Sequence, residues 1–357
     1  MSRKTIARIN LDAIRQNLRR VRAIAPRSDV ACVVKADAYG HGLSRVCAAL
    51  EEADVLAVAT TGEAAVCRQS GWAGRLLLLE GPSNAAEFDE MVSLGAEMVV
   101  HHETQLGLLR ERQEHIQEVI WLKIDTGMHR LGFAPSEVPA VYAELEKLRG
   151  KERTVLMSHF ACADDVTNPM TLQQMERFEA ATTGLEGPVS LANSAGMVNF
   201  RESQRDIVRP GIMLYGISPC QRKCAADIGL IPAMTLQCEL IAINHANQGE
   251  SVGYGASYTC PEAMTIGVAA IGYGDGYPRL TRGGMPVLVN DRRASVVGHV
   301  SMDMITIDLR GHKDARVGDT VILWGEGLPI EEVANYAGLI PYQLICGVTA
   351  RVIARVE

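Results

Sequence analysis

Lys35 closes a run of apolar residues, Ala31, Cys32, Val33 and Val34, and is followed at once by small residues and glycines. The string reads Val-Val-Lys-Ala-Asp-Ala-Tyr-Gly-His-Gly over 33–42. An amine held rigidly at the end of a buried strand suits imine chemistry, because desolvation lowers a lysine's pKa and raises the neutral, nucleophilic fraction. Gly40 and Gly42 allow a tight turn before a helix, and Tyr39 and His41 are placed to offer polar contacts to a ligand anchored beside the amine. A lone lysine in this setting is more often a strand-end side chain with a buried stem and a wet head, so the rest of the chain must carry the case.

Ser194, taken with Gly211 and Ile212 in a Pro-Gly turn, offers a hydroxyl and two backbone amides, the donors that a phosphate needs. Tyr254 is flanked by Gly253 and Gly255, which let a loop bring its ring close to a ligand. Metal chemistry is not expected: the pairs His101/His102 and Cys220/Cys224 lack the further ligands of a zinc site. The glycines of 253–255 and 272–276 lack the strand-to-helix setting and the lysine of a nucleotide loop.

The string from Lys35 to Gly42 resembles the pyridoxal-phosphate lysine motif of the barrel-type alanine racemases. Matching motifs recur in order along essentially the whole chain: Lys-Ile-Asp-Thr-Gly-Met-His-Arg-Leu-Gly at 123–132, Ser-His-Phe-Ala at 158–161 and Ala-Asn-Ser-Ala at 192–195. Arg-Pro-Gly-Ile-Met-Leu-Tyr-Gly follows at 209–216, Val-Gly-Tyr-Gly at 252–255, Ile-Gly-Tyr-Gly-Asp-Gly-Tyr-Pro-Arg at 271–279 and Ser-Met-Asp-Met at 301–304. The chain is similar to short bacterial cytosolic members of that family.

The resemblance implies roles. Lys35 and Tyr254 are the two bases that exchange the α-proton of an amino acid, Lys35 serving the D- and Tyr254 the L-enantiomer. Arg209 hydrogen-bonds the cofactor's pyridine nitrogen where many other pyridoxal enzymes place a carboxylate; a cation there weakens the electron sink and favours racemisation over transamination. A tyrosine with an ordinary pKa near ~10 is a poor base at neutral pH, so Arg130 and His159 are the cations expected to assist it, His159 linking Tyr254 toward Arg209. Tyr39, Tyr342, Ser194, Gly211 and Ile212 hold the phosphate. Arg130 and the backbone of Met302 meet the substrate carboxylate, Lys123 is a candidate for carbamylation, and Asp303 orients its loop. Asp164, Tyr273, Arg279 and His299 line an access channel, His299 standing where the family commonly has arginine.

Because the tyrosine and methionine positions lie in the second half of the chain, the resemblance further implies a homodimer in which each copy completes the other's site. The expected activity is interconversion of L- and D-alanine, supplying D-alanine for peptidoglycan or consuming it. A broad-specificity amino-acid racemase or a pyridoxal decarboxylase on the same fold is an alternative, and Arg209 argues against the decarboxylase. A non-catalytic pyridoxal-phosphate carrier is a second alternative, against which the full second domain argues.

Composition bounds these readings. A length of 357 residues suits one large barrel and a second unit. The net charge of −7 is spread without a basic stripe, which disfavours nucleic acid and anionic membrane as partners. Nine cysteines at irregular spacing point to free thiols in a reducing compartment. No apolar run reaches the ~20 residues of a membrane helix, and the opening lacks a secretory signal, so a cytoplasmic enzyme is expected.

The elements follow from periodicity. Leu11, Ile14, Leu18 and Val21 predict an opening helix. Strands are expected at 30–34, 55–59, 76–79, 97–100, 119–124, 155–158, 189–192 and 207–208, with helical spacing at 44–50, 61–69, 103–112, 137–148 and 172–182. Eight such alternations predict an α/β fold with an N-terminal (β/α)8 barrel of the TIM type over residues 1–225. From 226 to 357 the β-branched runs at 236–243, 265–270, 286–289 and 320–323, with one helix at 330–337, predict a mainly-β domain.

Overall fold

The computed structural model describes residues 4–112, 118–150, 153–279 and 284–357. Two compact units are present: residues 14–214 with 218–223, and residues 4–13 with 215–217 and 224–357.

In chain order the first nine strands are β1 (Ile6–Ile9), β2 (Asp29–Val33), β3 (Val55–Val58), β4 (Arg75–Leu78), β5 (Glu97–Val100), β6 (Ile120–Lys123), β7 (Thr154–Met157), β8 (Val189–Ser190) and β9 (Ile207–Val208). Strands β2 to β9 form one sheet in the order β8-β7-β6-β5-β4-β3-β2-β9, every adjacent pair parallel. A parallel bridge from Asn193 to Arg209 joins its two outer strands into a ring. The strands read as short, nearly unbroken apolar runs because both faces are covered, the inner by barrel side chains and the outer by helices. Val55–Val58 and Ile120–Lys123, for example, are buried at every position.

The connecting helices start where the sequence offers caps. Thr60 accepts from the Glu63 amide in a capping box that opens Thr61–Gln69, Asn84 caps Ala85–Ser93 and Asn193 caps Ser194–Asn199. The opening helix spans Leu11–Ile24, with Ile14, Leu18 and Val21 fully buried.

The β unit continues with β10 (Met234–Ala246), β11 (Ser251–Val252), β12 (Tyr258–Thr259), β13 (Met264–Ala269), β14 (Pro286–Val289), β15 (Arg292–Val297), β16 (Ile305–Asp308), β17 (Thr320–Trp324) and β18 (Ile353–Val356). Strand β10 is long enough to pair with β17 over its first half and β13 over its second, across a register shift between Leu240 and Ala242. Pairing therefore runs round β10-β13-β16-β15-β14-β17 and back to β10, which leaves no free edge within the ring. Its interior is filled by side chains such as Leu236, Ile307, Val321 and Leu323.

One expectation is corrected here. Residues 4–13 do not open the barrel: β1 pairs antiparallel with β10 and parallel with β18, so the chain starts in the β unit and enters the barrel through the helix that follows. Four residues of β1 carry too little pattern to reveal a partner more than 220 positions away.

Candidate active site

The residues singled out by sequence in the first unit collect at the carboxyl ends of the barrel strands, the end from which barrel sites are built. Lys35 lies two residues past β2, Lys123 ends β6, and Arg130 lies on the loop beyond it. His159 follows β7, Ser194 follows β8 and Arg209 follows β9.

Lys35 is half-buried and enters a turn of unusual hand. Ala36, Asp37, Ala38 and Tyr39 all have φ near +53 to +55°, one turn of left-handed helix made without glycine, before Gly40 and Gly42 at φ +78° and +89°. Left-handed backbone costs roughly 1–2 kcal/mol per non-glycine residue, so the surroundings must hold it. The Ala36 amide donates to Glu63 Oε1 at 2.7 Å, the Leu43 amide to Asp37 Oδ1 at 2.6 Å, and the Gly42 amide to the Asp37 carbonyl at 2.9 Å. The buried His41 ring contacts the carbonyls of Ala38 and Tyr39 through Nδ1. Sequence reasoning anticipated the tight turn and missed its handedness; the string Ala-Asp-Ala-Tyr, without glycine, gives no signal for it.

Arg209 is buried and anchored at several points. Its Nη1 donates to Ser190 Oγ at 2.5 Å, and its Nη2 to the carbonyls of Ser158 at 2.6 Å and Leu191 at 3.2 Å. Burial pushes the guanidinium down to about 9, so it stays charged at neutral pH. Nη2 also lies 3.4 Å from His159 Nδ1. Burial, and then the charges of Arg209, Lys123, Arg130 and Lys35, hold His159 well below the usual histidine range. His159 is therefore a neutral imidazole that accepts through Nδ1, and the expectation that it serves as a cation is corrected. Of the two serines that support this corner, Ser158 opens the motif at 158–161 but was given no role from sequence, and Ser190 lies outside every motif.

Lys123 is only 6% exposed. Burial, with the charges of Arg209, Arg130 and Lys35 outweighing Asp125, pushes its amine down to about 8. Four cationic side chains thus act on one another at this barrel end, an arrangement that asks for an anionic ligand.

Ser194 Oγ accepts from the Gly211 amide at 2.9 Å, and a Cβ built on Gly211 would lie 2.5 Å from the Tyr39 hydroxyl. Hydroxyls of Ser194 and Tyr39 therefore converge on a backbone that has room only for glycine, with the buried Ile212 next in line. A cradle of this kind suits a phosphate, and with the adjacent lysine and buried arginine the donor set fits pyridoxal phosphate. Tyr342, the remaining residue of the expected phosphate set, lies in the β unit on the helix Pro341–Cys346.

In the β unit, Tyr254 stands in a one-turn 3-10 helix, Tyr254–Ala256, at the tip of the hairpin β11–β12, and is 73% exposed. Met302 is 52% exposed, in a turn where the Ser301 and Met302 carbonyls accept from the amides of Tyr273 and Gly274. Arg351 joins the two loops by ion pairs to Asp275 and Asp303. Of the access-channel set, the Arg279 guanidinium lies 6.0 Å from the centre of the Tyr273 ring, His299 contacts the Tyr254 carbonyl, and Asp164, in the first unit, accepts from Gln221.

Residues 9–219 match the alanine racemase N-terminal domain family and residues 233–356 the alanine racemase C-terminal domain family. The chain belongs to the alanine racemase family. An alanine racemase of Nitrosococcus oceani is 49% identical over 346 residues, covering 96% of this chain and 97% of that one. The crystal structure of the biosynthetic alanine racemase of Pseudomonas aeruginosa superposes with a TM-score of 0.96 at 43% identity, covering 99% of each chain. That of Bartonella henselae, described with covalently bound pyridoxal phosphate, superposes at 0.88 and 26% identity, again over 99% of each. For this racemase-family chain the expected eight-stranded barrel and mainly-β domain are thus both present, and full-length coverage includes the β unit that a barrel-only carrier lacks.

Proposed function

We propose that this protein interconverts L- and D-alanine with pyridoxal phosphate held on Lys35. The observation that carries the reading is the cationic corner at the barrel end, with Lys35, Lys123, Arg130 and Arg209 gathered around a neutral His159. Bound to Lys35, the cofactor would supply the electron sink that acidifies the α-proton of an amino acid.

The protein's own groups do the rest. Ser194, Tyr39 and the backbone at Gly211 and Ile212, with Tyr342, hold the phosphate. Arg209, charged and fixed by Ser190 and Ser158, presents a cation where a carboxylate would strengthen the sink, so that the proton returns to the α-carbon. Arg130 and the Met302 backbone receive the substrate carboxylate. Lys35 moves the proton on one face and Tyr254 on the other. An amine brought down to about 8 at Lys123 favours capture of carbon dioxide, and the resulting carbamate would neutralise part of the corner and hold Arg130.

Tyr254 and Met302 stand exposed on the β unit, which supports a homodimer whose partner copy receives them at its own Lys35. Nine free thiols are in keeping with a reducing cytoplasm, where the product is D-alanine for peptidoglycan, or its substrate is D-alanine being consumed. Among the described residues no helix is long and apolar enough to cross a membrane.

The test is a panel of L-amino acids in deuterium oxide, followed by optical rotation and α-deuterium incorporation. Alanine should turn over fastest, and borohydride reduction should fix the cofactor on Lys35 in the peptide map. Faster turnover of lysine or arginine would overturn the substrate, and cofactor fixed elsewhere would overturn the site.

A further inference from the structure

We infer that His299 is a positioning residue that sets the place of Tyr254, an inference that rests on the reading of Tyr254 as a proton-transfer residue. The tip of the hairpin β11–β12 is a poor platform for a catalytic side chain. Gly253, Gly255 and Ala256 all have positive φ, +73°, +73° and +49°, and the Ala256 amide reaches the Gly253 carbonyl only at 3.3 Å. The tyrosine itself is the most exposed large apolar side chain among the described residues, at 73%.

What fixes the tip comes from another strand. His299 follows β15 after Gly298, which has φ +69°, and its Nδ1 lies 3.0 Å from the Tyr254 carbonyl oxygen. Since the carbonyl can only accept, Nδ1 carries the proton, as it does in one neutral tautomer and in the charged ring. The imidazole also lies over Gly255, 3.9 Å from where a Cβ would stand, and the His299 backbone lies 3.8 Å from the corresponding point on Gly253. From His299 the chain runs through the buried Val300 to Ser301 and Met302, whose carbonyls are bonded to the Tyr273 turn. One hydrogen bond thus ties the loop bearing the proton-transfer tyrosine to the loop bearing the carboxylate contact. Reacting groups must be held to a fraction of an ångström for proton transfer, and His299 supplies that restraint at the tip.

The test compares His299→Ala, His299→Asn and Tyr254→Phe. Asparagine can place an amide N–H where Nδ1 stands; alanine cannot. In His299→Ala, amide hydrogen exchange over residues 253–257 should quicken in the cofactor-free protein. In the holoenzyme kcat should fall by about tenfold with KM little changed, and the kinetic isotope effect with α-deuterated L-alanine should rise while that with the D-enantiomer does not. His299→Asn should restore all three. The inference is overturned if His299→Ala leaves exchange and isotope effects at wild-type values, or if asparagine behaves as alanine does. If Tyr254→Phe leaves the L-side isotope effect unchanged, the reading of Tyr254 is what fails, and the exchange data still decide the hydrogen bond.

Discussion

Arg209 Nη2 lies 3.4 Å from His159 Nδ1, and this contact fixes which nitrogen of the imidazole is free of a proton. A buried guanidinium cannot accept, so Nδ1 must, which leaves Nε2 as the donor. The folded pKa of His159 lies well below its ordinary value, first from burial and then from Arg209, and burial also brings His41 down to about 4. Such histidines take up a proton on unfolding, so they cost the fold nothing above about pH 6.5, and stability falls as pH drops below that value. Each contributes a limiting slope of about 1.4 kcal/mol per pH unit. Cofactor-free His159→Asn should therefore lose Tm less steeply between pH 6.5 and 5 than wild type, by up to one proton. An unchanged slope in calorimetric scans would show that His159 titrates normally.

The turn after Lys35 makes a separate prediction. Ala36 is exposed and held at φ +55°, a conformation that glycine adopts without strain. Ala36→Gly should leave Tm unchanged or raise it slightly, the relief of strain offsetting the greater freedom of the unfolded chain. Ala36→Val should lower stability by about 2 kcal/mol or more, since a branched Cβ is worst in this region. Denaturant melts of the two variants would check the contrast, and equal destabilisation by both would refute a left-handed turn.

This turn also shows where the sequence runs out. Lys35 was legible from the apolar run it closes, Ser194 and Gly211 from donors suited to a phosphate, and Arg209 only through the resemblance to the family's motifs; barrel topology then sends every strand's carboxyl end to one place. All eight barrel strands were anticipated to within two residues, and helices 61–69, 103–112 and 330–337 at their observed bounds. The helices Ala85–Ser93 and Pro341–Cys346, and strands β15 and β16, were not. β15 opens on two exposed arginines, Arg292 and Arg293, and is buried only at Val296 and Val297, so it shows no apolar alternation to read. β1 was misassigned because pairing across the whole chain leaves no local trace. His159 was expected to be charged, since its type is visible in sequence and the four cations around it are not.

Gly211 is a steric test of the phosphate cradle. An alanine Cβ there would stand 2.5 Å from the Tyr39 hydroxyl, well inside contact distance, and the buried surroundings leave Tyr39 little room to retreat. Overpacking of this kind costs about 1–3 kcal/mol, so Gly211→Ala should weaken pyridoxal-phosphate binding by about tenfold or more. Because the closest contact is with the hydroxyl, while the ring carbon that bears it stays at 3.1 Å, Gly211→Ala with Tyr39→Phe should lose less binding than the two single losses combined. Spectroscopic titration of the cofactor-free proteins measures this, and simple additivity of the two losses would separate Tyr39 from the cradle.

Lys123 should trade stability for function. Its amine is brought down to about 8 by burial and by Arg209, Arg130 and Lys35, so between pH 8 and its unfolded value near ~10.4 the unfolded chain binds more protons and stability rises with pH. Below pH 8 the whole penalty is present, on the order of 3 kcal/mol for a site this buried. Lys123→Met, similar in volume and uncharged, should therefore raise the Tm of the cofactor-free protein at pH 7. Carbamylation would remove the same penalty by another route, turning the cation into an anion beside Arg130. Bicarbonate at pH 8 should then raise the Tm of wild type and leave Lys123→Met unmoved, and a carbon-13 carbamate signal should appear only in the wild type. A bicarbonate effect of equal size in both proteins would place the modification elsewhere, and a lower Tm in Lys123→Met would mean that the amine is compensated rather than crowded.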